Sequence, residues 1–211
     1  MLSIIHATGW PIWPLIACSI VALALVIERL LTLRSNRVAP PTLVDEVIGV
    51  TRHALPPVDV VDKLAASSVL GAVLAAGVRS VAADPRISEE GLRQAFESAG
   101  RRGVHALERY LNTLGTIATA APLIGLLGTV VGMIEIFSAT GPTAAASNPE
   151  QIARGISIAL YSTAFGLIIA IPALMFYRFF RGRVEEFTLE LEHAAERLVP
   201  HLLRFAVRAA H

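Results

Sequence analysis

Apolar residues along this chain gather into three long blocks and do not alternate or spread evenly. The blocks are Trp10 to Leu33 (interrupted by Glu28 and Arg29), Leu114 to Phe137, and Gly155 to Tyr177. At about 1.5 Å per residue the second block reaches roughly 36 Å as a helix, against a bilayer hydrocarbon core of about 30 Å. Three membrane-crossing helices is the economical reading. The second block contains no ionisable side chain before Glu135, yet Pro122, Gly125, Gly128, Thr129 and Gly132 interrupt its aliphatic residues. A helix facing only lipid needs no such residues. They point to close helix packing or to a polar seam that faces something other than lipid.

Between and after the blocks the pattern stays helical. Pro40-Pro41 ends whatever continues from the first block, and Pro56-Pro57 and Pro85 divide the stretch before the second. Thr42 to His53, Val58 to Ser67 and Ser68 to Ala83 read as short helices. Ser88 is placed to cap a new helix whose first turn carries Glu89 and Glu90. Leu92, Phe96, Ala99, Gly103, Leu107, Tyr110 and Leu114 then recur at helical spacing with no breaker among them. This predicts one long helix running into the second block. Past the third block, Val184, Phe187, Leu191, Ala194, Leu198, Leu202 and Phe205 keep the same spacing, with Glu185, Glu186, Glu190, Glu192, Glu196 and Arg197 between them. That predicts an amphipathic continuation packed against the 88–113 helix, kinked or ended at Pro200.

The fold expected is therefore an all-α membrane protein, with three transmembrane helices and long cytoplasmic helical extensions forming a bundle. Its divisions are an outside segment with the first transmembrane helix (1–33), a cytoplasmic helical insert (34–113), the second transmembrane helix (114–137), a periplasmic loop (138–154), the third transmembrane helix (155–177) and a cytoplasmic C-terminal helix (178–211).

Charge sets the orientation. Arg29 lies near the end of the first block and Arg34 and Arg37 follow it, Arg101, Arg102 and Arg109 precede the second, and Arg178, Arg181 and Arg183 follow the third. Arg154 is the basic residue between the last two blocks. By the positive-inside rule the N-terminus and the 138–154 loop lie outside and the C-terminus inside. Trp10 and Trp13 suit the outer interface, and Tyr110, Phe176 and Tyr177 the inner one. Met1 to Gly9 carries no Lys or Arg, so the first block reads as a retained helix and not as a cleaved secretion signal. A hydrophobic fraction of 54% in 211 residues is too high for an ordinary soluble domain, and a net charge of +1 gives no reason to expect nucleic acid as a partner. Cys18, the only cysteine, sits in an apolar helix, which excludes a disulfide within the chain or a thiolate metal site.

Enzyme signatures are absent, and no catalytic residue, metal site or cofactor is expected. His6, His53, His105, His193, His201 and His211 are scattered without ligand spacing. Glu192, His193 and Glu196 read as a solvated helix face. Gly125 to Thr129 resembles a phosphate loop only superficially, because it has no lysine and lies in the membrane. What remains is a small-and-polar seam: Gly125, Gly128 and Gly132 on the second block, and Ser162, Gly166 and Ala170 on the third. These are candidates for helix packing. Thr129 lies eight residues before Phe137 and Thr163 eight after Gly155, so both fall roughly 12 Å from the outer end. They either line a polar path or bond back to their own helix carbonyls. No block carries an ionisable group near mid-membrane, so any titrating group on an ion path must come from a partner.

Two stretches carry a family resemblance. They are Ala121-Pro122-Leu123-Ile124-Gly125-Leu126-Leu127-Gly128-Thr129-Val130-Val131-Gly132-Met133, and Gly155 to Leu167 followed by Ala170-Ile171-Pro172-Ala173. Together they resemble the MotA/TolQ/ExbB family of proton-channel stator subunits, on the TolQ/ExbB side; the four spans of MotA-type members count against that branch. The resemblance implies a homo-oligomer, a pentamer, in the bacterial inner membrane, surrounding a single-span ExbD- or TolR-like partner that carries the membrane aspartate. A TonB- or TolA-like protein would then pass the work to the outer membrane. The resemblance places Thr129 and Thr163 on the family's pore-facing threonines. It also exposes a departure, because members commonly have a glutamate where this chain has Ile158. Glu135, near the outer end of its own helix, is the candidate replacement. The expected role is ExbB-like; the alternatives are a TolQ-like role in envelope integrity and division, or a non-conducting membrane scaffold.

Overall fold

The computed structural model describes residues 11–52, 54–139 and 149–208; the side chains of Glu135, Arg154 and Ile158 fall outside that description. All regular structure among the described residues is α-helical: α1 (Ile12–Thr32), α2 (Ser35–Val38), α3 (Leu43–Val50), α4 (Val58–Ser67), α5 (Val69–Ala83), α6 (Glu89–Glu108), α7 (Leu111–Ala139) and α8 (Pro149–Arg208). Three stretches are long and apolar enough to cross a membrane: Ile12–Thr32, Glu89–Ile134 and Gly155–Phe205.

The chain divides into two compact units, Met1–Glu28 with Tyr110–Phe179 and Arg29–Arg109 with Phe180–His211. The apolar unit is built from α1, α7 and the start of α8. Leu15, Ala121 and Ala170 meet at its centre, one from each helix, with Ile124 and Ile169 packed on them. Its outer faces are apolar as well: Leu123, Leu126, Ile134, Leu160, Ile168, Ile171 and Met175 are all exposed. Faces of that kind suit lipid or neighbouring subunits.

The polar unit buries large side chains instead. Phe180, Phe187, Leu191, Leu198 and Leu202 of α8 are sealed from solvent, as are Leu92, Phe96 and Leu107 of α6 and Leu74 and Val78 of α5. The helical spacing read from the sequence supplies these core positions. The Phe96 ring occupies the space beside Gly77 where a side chain would stand. Ser68 and Ser88 cap α5 and α6, each hydroxyl accepting a hydrogen bond from a backbone N–H three residues on, at 2.9 and 3.1 Å.

One expectation fails and another narrows. The 88–113 segment is not one helix with the second block: α6 ends at Glu108, Arg109 is extended (φ −50°, ψ 135°) and Tyr110 takes a positive φ of 67°. A long-range contact accompanies the break. Arg29, 3% exposed, donates from its guanidinium to Leu107 O at 2.9 Å, satisfying a carbonyl that an ended helix leaves open. The Tyr110 carbonyl in turn accepts from Leu114 N and starts α7. Tyr110 is 39% exposed and therefore leaves the buried stripe. Of the two outcomes expected at Pro200, a kink or an end, the end does not occur, since α8 runs through it to Arg208. Pro200 is exposed, so the carbonyl its missing N–H frees faces solvent. α8 starts at Pro149, within the 138–154 segment.

Candidate functional site

The candidate residues lie on α7 and α8 within the apolar unit, where the two helices come almost into backbone contact. A Cβ on Gly125 would stand 2.8 Å from Ser162 O and 3.0 Å from Thr163 Cα. One on Gly166 would stand 2.6 Å from Ala121 O, and one on Gly128 would collide with Ser162 Oγ. Gly132 lies farther out, with Ala159 Cβ at 3.4 Å from its Cβ position. Ala170 sits below, in the three-helix core with Leu15 and Ala121. Without side chains at these points, the helices approach until Cα–H groups face carbonyl oxygens. Substitutions at Gly125 and Gly166 meet backbone, which cannot swing aside.

The same register, with Gly128 against Ser162 and Gly132 against Ala159, keeps Thr129 and Thr163 within about one helical turn of each other in depth. Their hydroxyls differ in state. Thr129 Oγ1 donates to Leu126 O on its own helix at 2.7 Å. Thr163 Oγ1 is buried beside Gly125 with no hydrogen-bond partner. The back-bonded alternative therefore describes Thr129 and not Thr163. Glu135 lies in α7 and Ile158 in α8, but both side chains are outside the described residues.

Sequence reasoning treated Ser162 only as a small residue. Its hydroxyl is fully buried and unpartnered, so Ser162 is also a polar feature of the site. The signal was present, since serine and threonine stand side by side in an apolar helix, but nothing in the spacing says which way a helical hydroxyl turns.

Among the described residues no group of three or more His, Cys, Asp or Glu is placed to hold a metal ion. His6, His53 and His211 lie outside the described residues. In the polar unit a groove of about 650 Å³ runs between α6 and α8 over Phe96 and Leu191, and Glu192 and Glu196 line it. Arg93 closes one side by pairing with both Glu89 and Glu196. Its guanidinium pKa is raised by the hydrogen bond to Glu89 and then by that to Glu196. His201 Nε2 reaches the buried Thr51 Oγ1 at 2.9 Å, and that hydroxyl donates to Val47 O at 2.6 Å. These contacts tie α6 and the end of α3 to α8 within the polar unit.

Residues 65–193 match the MotA/TolQ/ExbB proton channel family. A putative biopolymer transport protein ExbB-like 3 of Synechocystis is 35% identical over 176 residues, covering 80% of this chain and 79% of that protein. Biopolymer transport protein exbB1 of Vibrio cholerae is 31% identical over 175 residues, covering 79% and 72%. The Tol-Pal system protein TolQ of Haemophilus influenzae is 35% identical over 128 residues, 56% of each chain. A glycine-tight crossing of two apolar helices with paired threonines, and these likenesses along most of the chain, give one conclusion: the chain belongs to the MotA/TolQ/ExbB proton channel family, as an ExbB/TolQ-like member.

Proposed function

We propose that this chain is the ring-forming subunit of an inner-membrane motor driven by the proton-motive force, of ExbB type, energising TonB-dependent transport across the outer membrane. In this reading several copies, five by family resemblance, surround a single-span ExbD- or TolR-like partner that carries the membrane aspartate. A TonB- or TolA-like protein receives the work. The N-terminus and the 138–154 loop are periplasmic; the 34–113 insert and the 178–211 segment are cytoplasmic, following the arginine distribution.

The observation that carries the reading is the state of Thr163. A hydroxyl buried in an apolar unit without a hydrogen-bond partner costs stability. A protein retains such a group where something must bind it transiently, and a hydrated proton passing to a partner's carboxylate is the fitting species. Thr129, at similar depth, is the second wall of that path. Glu135 supplies the outer-mouth carboxylate that Ile158 lacks. The glycines hold α7 and α8 close enough to keep both threonines in place.

The test is proton flux in vesicles containing the chain and its co-purified single-span partner. Thr163→Val should lower flux on the order of tenfold, the equivalent of one lost hydrogen bond of about 1.4 kcal/mol. Thr129→Val should lower it less, because that hydroxyl is already satisfied. Unchanged flux in Glu135→Gln would retire the role given to that carboxylate. No flux, or flux indifferent to both threonine changes, would leave the scaffold reading standing. The likeness to TolQ favours a second reading, a Tol-type role in envelope integrity and division. Whether the co-purified partner is ExbD-like or TolR-like decides between them.

A further inference from the structure

Ser162 is the one described residue of the apolar unit whose side chain is wholly buried, polar and without a hydrogen-bond partner, at 0% exposure. Thr163 beside it is likewise unpartnered at its hydroxyl, but four further helical hydroxyls behave differently. Thr116, Thr119, Ser157 and Thr188 each donate to a carbonyl one turn back on their own helix, at 2.8 to 3.1 Å. Ser162 turns away from that option and points at Gly128 across the crossing, into the space a side chain would take. That same point lies 3.5 Å from Pro11 Cβ, so the hydroxyl sits where the start of α1 meets α7 and α8.

The start of α1 has polar needs of its own. The first N–H groups of a helix have no partner within it. Here those belong to Ile12, which is 1% exposed, and Trp13, since Pro14 has no N–H. Trp13 is 63% exposed, so the buried donor is Ile12 N–H, next in the chain to Pro11, which borders the unpartnered Ser162 hydroxyl. We infer that Ser162, Gly128 and the first turn of α1 form a buried hydration site that takes a single water molecule. The water accepts a hydrogen bond from the α1 backbone and exchanges one with Ser162 Oγ, within the two to four partners a buried water ordinarily needs. It ties α1 to the α7–α8 crossing beside Thr163. Gly128 is required because a side chain there would collide with the Ser162 hydroxyl and displace it from the site.

Two readouts on the intact complex in lipid test this, and neither depends on ion conduction. A structure at water-resolving resolution should show density within about 2.8 Å of Ser162 Oγ. Absence of such density would overturn the inference. Ser162→Ala should then lower the thermal midpoint by about 2 to 4 °C. If the hydroxyl is a bare orphan, its removal relieves a penalty and the midpoint stays or rises, which also overturns the inference. Failure here leaves the flux results for Thr129 and Thr163 untouched, and failure of those leaves the hydration site standing.

Discussion

The two halves of α8 bury different kinds of residue. In the apolar unit its inward positions are Ala159, Ser162, Gly166, Ala170 and Ala173; in the polar unit they are Phe180, Val184, Phe187, Leu191, Leu198, Val199 and Leu202, with Ala194 the one small residue among them. In water, burying large apolar side chains drives association, at about 25 cal/mol per Å² removed from solvent. In lipid that force is missing between helices, and small residues that let backbones meet take its place. One helix thus changes its packing rule along its length, and the change falls where the chain passes from one unit to the other. The difference predicts opposite responses to the same kind of substitution.

The largest effect belongs to the half that packs large residues. Phe187 is fully buried, with Arg183 stacked over its ring at 4.9 Å. Phe187→Ala should cost about 3 to 5 kcal/mol, the range for truncating a buried aromatic ring. Chemical unfolding of the purified protein, followed by circular dichroism, measures it. A loss below about 1 kcal/mol would mean that the polar unit is not held by its core.

The sharper test uses two glycines on the same helix. A Cβ on Gly166 would meet Ala121 O at 2.6 Å and Gly125 Cα at 3.2 Å, whereas one on Gly182 meets nothing within 4 Å. Gly166→Ala must push two backbones apart and should destabilise by about 2 kcal/mol. Gly182→Ala should stabilise by up to about 1 kcal/mol, from helix propensity alone. Equal signs for the two variants would break the comparison.

The sequence made much of this readable, for a physical reason. Apolar block length, helical spacing and the Ser88 cap are local signals, and they located the three long apolar helices and the buried stripe from Leu92 to Leu107. The break at Tyr110 left no such mark. Tyrosine is not a turn residue, and its positive φ accompanies a bond from Arg29, far away in the chain, to Leu107 O. At the candidate site, residue types and depth were readable but hydroxyl direction was not. Thr129 and Thr163 look alike in sequence, yet one bonds its own helix and the other is left buried and unpartnered.

The smallest effect lies on the surface of the polar unit, where the comparison is extended from packing to charge. Arg93 pairs with Glu89 on its own helix and with Glu196 on α8. Both partners raise its pKa, Glu89 first. A raised pKa in the folded state contributes stability that is present below the ordinary arginine range and is lost only as pH climbs beyond it. The contribution is therefore constant across neutral pH. Arg93→Gln should move the unfolding midpoint less than either glycine variant, because exposed pairs gain little over their hydration and are screened by salt. The difference from wild type should stay flat from about pH 6 to about 9 and shrink as salt is raised. A shift as large as that of Phe187→Ala would mean that α6 and α8 are clamped by charge, and that the core is secondary in the unit where it is best packed.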